Sequence, residues 1–189
     1  MKRRPSLMDV TENYIINEKT KAIIPEHVEN NYTFSKVVED RNMFIVKKKP
    51  LDMIKSSFKA YGSGYEGAVK ASQSILRKTK MLPIRISGAK DMYWFSLMAA
   101  SNRDCIWLAL EHTERPIDLS REETVFLLTD GYRLNVHMSY QRAKNRMDTA
   151  IKFKAILQRT MSIESLSTSK LLKGYMIIKD SSGNYRIKK

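Results

Sequence analysis

Residues Thr124–Met138 read TVFLLTDGYRLNVHM. Asp130-Gly131 is the kind of pair a tight hairpin turn favours, because both central residues take positive φ, and it separates two apolar stretches. Thr124–Leu128 and Tyr132–Met138 are therefore expected to pair antiparallel, with Leu134, Val136 and Met138 alternating toward a half-buried face. Ser139 then offers an N-cap for a long helix reaching to about Arg159, in which Tyr140, Ala143, Met147, Ala150, Ile151 and Leu157 mark one apolar face.

Working outward, Leu82–Ile86, Met92–Met98 and Cys105–Leu110 are apolar runs of strand length. Before them, Pro50 suits the first position of a helix, and Leu51, Ile54, Phe58 and Tyr61 recur at helical spacing, so the pattern predicts a helix over Pro50–Ala60. Gly62-Ser63-Gly64 ends it, a second helix follows over Tyr65–Leu76, and Pro83 forbids its continuation. Thr20–Pro25, Lys36–Glu39 and Asn42–Val46 are β-rich pieces between the turn-prone Glu29-Asn30-Asn31 and Glu39-Asp40-Arg41-Asn42. Hairpins rather than crossovers join several neighbours. The expected class is α+β: a mainly antiparallel sheet, two short helices in the middle, and one long helix after the 124–138 hairpin.

The chain has 189 residues, 42% of them apolar, with 7 Gly and 5 Pro, which is enough to bury one core and too apolar for a disordered chain. Residues 1–11, with Lys2, Arg3, Arg4 and Pro5, read as a loose basic tail, 12–160 as one domain, and 161–189 as an extension. In that extension Tyr175–Ile178 and Tyr185–Ile187 could pair across Asp180–Asn184. No run approaches the roughly 20 apolar residues of a membrane span, and the first residues lack the apolar centre of a signal peptide. A single cysteine, Cys105, excludes an intramolecular disulfide and fits a reducing cytoplasm.

Charge speaks to partners. Lys plus Arg number 34 against 20 Asp plus Glu, a net +14 that favours polyanions through counterion release. Lys47–Lys90 holds 11 basic and 2 acidic residues, whereas Trp107–Asp130 holds 2 basic and 6 acidic ones. One basic and one acidic face are expected, although such runs also simply solvate a surface. The best polyanion surface combines Lys47-Lys48-Lys49, Lys55, Lys59, Lys70, Arg77, Lys78 and Lys80 with Phe58, Tyr61 and Tyr65.

Catalytic chemistry finds little support. His27, His112 and His137 are scattered, none has a ligand partner one helical turn away, and Cys105 has no second thiolate, so no metal site is expected. Cys105 opens an apolar run with Ile106-Trp107, where cysteine acts as a small hydrophobe rather than a nucleophile. Gly62-Ser63-Gly64-Tyr65-Glu66-Gly67 matches a dinucleotide fingerprint by letter, but it follows a helix instead of a strand. The glycines leave two readings open: close approach of the backbone to a ligand beside Tyr61, Ser63 and Tyr65, or a plain turn between helices. No enzyme, metal or organic cofactor is expected.

Lys49-Pro50-Leu51 and the Phe58–Gly67 block FKAYGSGYEG resemble the bacterial competence transcription factor family, ComK. Tyr93-Trp94-Phe95, Ser101-Asn102-Arg103, Cys105–Trp107, Thr129–Leu134 and Met138-Ser139-Tyr140 resemble the same family in the same order, over about Asn42–Leu157. The resemblance implies a cytoplasmic, nucleoid-associated activator of DNA-uptake genes. It would bind double-stranded, AT-rich promoter elements through the minor groove as a homo-oligomer, with RNA polymerase as a further contact and no membrane partner. Minor-groove readers use Arg, Lys, Asn or Gln against mostly acceptor base edges. Asn102 and Arg103 are accordingly placed near bases, and Lys59, Tyr61, Ser63, Tyr65, Lys70, Arg77, Lys78 and Lys80 on phosphate and sugar. The alternative is a general nucleic-acid binder, including single-stranded RNA or DNA, governed by charge and stacking. Gly174-Tyr175-Met176-Ile177-Ile178 only faintly echoes the adaptor-binding signature of relatives, so adaptor-driven turnover is doubtful.

Overall fold

A computed structural model describes residues 9–28, 32–170, 176–179 and 181–188. Lys2–Pro5, the Glu29-Asn30-Asn31 turn and Gly174-Tyr175 lie outside the described residues. The backbone forms two compact units, Met1–Phe153 and Lys154–Lys189.

In the first unit the strands are β1 (Val10–Thr11), β2 (Thr20–His27), β3 (Thr33–Glu39) and β4 (Asn42–Val46). Helices α1 (Pro50–Ala60) and α2 (Tyr65–Leu76) follow, then β5 (Ile84–Ser87), β6 (Met92–Ser96), β7 (Trp107–Ala109), β8 (Thr113–Ser120), β9 (Glu123–Leu128) and β10 (Arg133–Val136). Helix α3 (Tyr140–Lys170) begins in this unit, and β11 (Met176–Lys179) with β12 (Tyr185–Lys188) forms an antiparallel hairpin in the second.

Seven strands make one sheet in the order β1-β4-β3-β2-β7-β6-β5, and three make another in the order β10-β9-β8. Among the described residues all pairings in these two sheets are antiparallel except β1 with β4. The mixed α/β content and mostly antiparallel pairing agree with the sequence reading.

β6 shows why the unit is layered. All five of its residues, Met92–Ser96, are buried, and alternate side chains point to opposite faces of a strand. Met92 and Trp94 join the cluster of Ile23, Val37, Met53, Ile54 and Phe58, so this face packs beneath α1. Tyr93 and Phe95 face the other way: Tyr93 meets Phe153 of α3 edge-on at 6.1 Å, and Phe95 lies 6.2 Å from Phe126 of β9. The large sheet thus separates a helical layer from a layer of β8–β10 and the start of α3.

Local chemistry explains the α1–α2 corner. Asp52 in the first turn and Lys59 in the last suit the α1 dipole. Gly62, at φ 70°, closes the helix, with Gly62 N–H donating to Lys59 O and Ser63 N–H to Phe58 O, the paired bonds of a Schellman motif. Buried Ser57 donates to Met53 O (2.9 Å) and accepts Ile16 N–H (3.0 Å), tying α1 to the segment before β2.

Asp130 and Gly131 take φ of 59° and 76°, as the pair predicts, and Arg133↔Leu127 through Val136↔Thr124 set the hairpin register. The paired part of the second strand is Arg133–Val136, shorter than Tyr132–Met138. Buried Lys21 of β2 bonds Thr129 Oγ1 (2.9 Å) and pairs with Asp130, pinning the hairpin tip to the large sheet.

Three elements depart from the sequence reading. β8 is absent from it because Thr113–Ser120 (TERPIDLS) carries Pro116 and three charges; as an edge strand it tolerates the missing donor. The 1–11 segment is not loose throughout: Val10–Thr11 pairs with β4, whose edge donors reach Asp9 O (2.8 Å) and Thr11 O (3.0 Å). Helix α3 continues past Arg159 to Lys170, with no Gly or Pro to interrupt 140–170, and the hydroxyls of Thr160 and Ser162 bond carbonyls one turn back instead of turning the chain.

Candidate nucleic-acid interface

Two adjoining hollows lie beside α1 and α2. A cleft of about 240 Å³ is bounded by Thr33, by Lys49–Asp52 at the start of α1, and by Ala100–Arg103. A groove of about 600 Å³ runs on from it, with Leu51, Ala100 and Ser101 common to both. Leu51, Val69, Met81, Leu82 and Trp107 give the groove apolar walls, and Tyr65 and Lys80 give it polar ones. Lys49, Lys80 and Arg103 are its cations, and Asp52 is the carboxylate among the lining residues.

The Ala99–Cys105 loop is internally braced. Asn102 N–H donates to Ala99 O (2.8 Å), Cys105 N–H to Asn102 O (3.1 Å), and Asp104 N–H to Asn102 Oδ1 (2.8 Å). With Oδ1 engaged by Asp104 N–H, the exposed Asn102 amide keeps its NH2 group as a donor. Arg103 donates through Nη2 to His27 Nδ1 (3.1 Å), and His27 Nε2 lies 2.6 Å from Asp104 Oδ1. A guanidinium only donates, so Nδ1 accepts and the ring proton sits on Nε2, aimed at the carboxylate. His27, 77 residues from Asp104 in sequence, thereby sets where Arg103 stands.

Tyr65 is half-buried, edge-on to Phe58 at 6.0 Å, with Lys55 Nζ 5.6 Å from its ring centre. Burial raises its phenol pKa, keeping it a neutral donor. Tyr61 and Ser63 spend their hydroxyls inside the corner: Tyr61 donates to Ile16 O (2.9 Å) and Ser63 to Phe58 O (3.3 Å). Lys59 on α1 and Lys70 on α2 are exposed. Arg77 ends α2 in the left-handed region at φ 52°, and Lys78 Nζ donates to Thr149 Oγ1 of α3 (3.2 Å).

Of the residues expected at a nucleic-acid site, Asn102, Arg103, Tyr65 and Lys80 thus share one concavity, while Tyr61 and Ser63 belong to the corner. Lys49, Ala100 and Ser101 line it as well. Lys49 was legible as part of the lysine run and of Lys49-Pro50-Leu51; His27 carried no local signal, being brought in only by pairing of distant strands.

Cys105 is 2% exposed, and burial pushes its thiol up to about 11, far from a reactive thiolate. Among the described residues no three His, Cys, Asp or Glu side chains gather in a way that would hold a metal ion, and no helix is long and apolar enough to cross a membrane.

The fold and its hollow define a basic α+β module with a cationic, partly apolar concavity. The ComK protein family model matches residues 11–162, and the chain belongs to that family. The chain is also 23% identical over 136 residues to the competence transcription factor of Bacillus subtilis (strain 168), covering 72% of this chain and 70% of that protein. The family is one of transcription factors and not of enzymes. No solved structure matches the chain.

Proposed function

We propose that this chain is a competence transcription factor: a cytoplasmic, nucleoid-associated activator that binds AT-rich promoter elements of DNA-uptake genes through the minor groove, as a multimer. The observation that carries this reading is the contiguous concavity in which Asn102 and Arg103 stand at one end and Tyr65 and Lys80 at the other. Asn102 and Arg103 are donors, and the minor groove of an A-tract presents acceptor edges in a narrow channel of enhanced negative potential. Lys49, Lys80 and the exposed Lys59, Lys70, Arg77 and Lys78 neutralise phosphates on either side, Tyr65 donates to sugar or phosphate, and Tyr61 and Ser63 hold the corner that carries them. The apolar walls suit the deoxyribose rims of a narrow groove better than solvent.

A multimer fits an activator that reads paired elements, and contact with RNA polymerase belongs to the same proposal. So does the division into a DNA-binding part and a C-terminal extension. The apolar excess of the long helix and the terminal segment Leu171–Ile187 are the candidate surfaces for self-association; within the latter, residues 171–175 and 180 and the side chain of Ile177 lie outside the described residues.

The test is fluorescence anisotropy with two duplexes of equal length, one carrying paired A- and T-tracts and one GC-rich, with netropsin as minor-groove competitor. A strong preference for the first duplex that netropsin abolishes is expected. Equal binding of both, falling steeply with salt, would replace this reading with charge-driven, general nucleic-acid binding.

A further inference from the structure

We propose that Arg142 and Arg146 of α3, together with Lys78, form a second anion subsite that takes phosphodiester groups of the bound nucleic acid. The inference rests on the DNA-binding reading above and adds to it two residues outside the concavity.

Arg142 and Arg146 stand one turn apart on the same flank of α3, a spacing at which like charges repel. No ion pair among the described residues involves either arginine. The nearby acid of this helix, Asp148, is paired with Lys144 at 2.6 Å. Arg146 Nε is buried and has no hydrogen-bond partner. A buried donor without a partner is rare in folded proteins, and an acceptor oxygen brought to it would be stabilising. Burial first, and Arg142 next, lowers the basicity of Arg146, so an anion would relieve both.

The third cation comes from another element. Lys78 reaches α3 at Thr149, which stands three residues past Arg146 on the same flank. The subsite also borders the concavity. Lys78 directly follows the end of α2 at Arg77 and stands two residues before Lys80, which lines the groove, while its Nζ reaches Thr149 of α3. A cationic path therefore leads from Lys80 through Lys78 to Arg146 and Arg142. The planar fork of a guanidinium matches the oxygens of a phosphate, and a phosphodiester backbone leaving the concavity presents them at regular spacing.

The test uses the full chain and reads the salt dependence of binding to both an AT-rich and a GC-rich duplex. Arg142 is exposed, so Arg142→Gln leaves packing intact. The log–log salt slope is expected to shrink by roughly 0.9 on both duplexes, which is about a fivefold loss of affinity at 0.15 M salt, with the ratio between duplexes unchanged. Arg146→Gln is expected to add a similar decrement, and Arg146→Lys to restore the slope. Unchanged slopes in Arg142→Gln and Arg146→Gln, with only a lower melting temperature in the latter, would overturn the proposal and leave Arg146 a packing residue. Equal affinity of the wild-type chain for the two duplexes would instead remove sequence-specific recognition; because slopes are read on either duplex, the phosphate subsite is decided independently.

Discussion

Arg103 is useful to a recognition surface only if it waits in the right place, and His27 is one residue that holds it there. Replacing His27 by alanine removes both the acceptor for Arg103 Nη2 at 3.1 Å and the bridge from Nε2 to Asp104 at 2.6 Å. The side chain then loses part of its preorganisation, and that order must be restored at the moment of binding, at a cost of up to about 0.5–1.5 kcal/mol for a rotamer-rich side chain. His27→Ala is thus expected to weaken binding to an AT-rich duplex roughly two- to twelvefold. Arg103→Ala, which removes the base contact itself, is expected to lose about 1–3 kcal/mol of discrimination against a GC-rich duplex. Because His27 acts through Arg103, the double variant should bind like Arg103→Ala alone. The assay is an anisotropy titration of all four proteins on both duplexes, read as a double-mutant cycle. Additive losses, or a His27→Ala loss that persists undiminished in the Arg103→Ala background, would refute the positioning role.

Phe58, 1% exposed in the α1 layer, should cost about 3–5 kcal/mol when cut to alanine, seen as a lower urea midpoint; a loss below about 1 kcal/mol would mean that α1 is not seated on the sheet as described. Lys21 holds the Asp130 carboxyl below its ordinary 3.8, and Lys47 and Lys90 do the same for Glu12 and Glu18 against 4.5. Depressed folded values mean stability that is present above those ordinary values and lost as pH falls through the lowered ones, so the melting temperature should drop from about pH 5 to about pH 3, and drop less in Asp130→Asn. A drop of equal size in that variant would exclude the hairpin-tip pair as a contributor. With its pKa raised from 9.0 to about 11, Cys105 should be alkylated at pH 8 roughly 100-fold more slowly in the folded than in the urea-unfolded chain; matching rates by mass spectrometry would show that the core around Cys105 opens.

How much of this was legible in the sequence varies by element. The 124–138 hairpin was, because Asp130-Gly131 supplies a backbone requirement that few other dipeptides meet. The α1–α2 corner was as well, since Pro50 and Gly62 mark a start and a stop on local grounds. β8 was not: its Pro116 and charges are tolerated at an edge, and edge position is a property of the assembled sheet. The second half of α3 was passed over because small polar residues favour turns in isolation, while a helix already nucleated extends through them at little cost. The candidate site divides similarly. Asn102, Arg103 and Lys80 carry chemistry that their residue types announce, whereas the commitment of the Tyr61 hydroxyl to Ile16 O and the His27 bridge to Asp104 arise from pairings 45 and 77 residues apart.

The central claim, recognition of AT-rich DNA from the minor groove by the Asn102–Arg103 end of the concavity, is tested most directly by hydroxyl-radical footprinting on a duplex with paired A- and T-tracts. The radical attacks sugars exposed in the minor groove. The account predicts protection of sugars across the A-tract minor grooves by the wild-type chain and its loss with Arg103→Ala at protein concentrations that still saturate the DNA. A-tract sugars left open to the radical while guanine N7 in the major groove is protected from dimethyl sulfate in a parallel reaction, or a tract footprint that Arg103→Ala leaves intact, would contradict it.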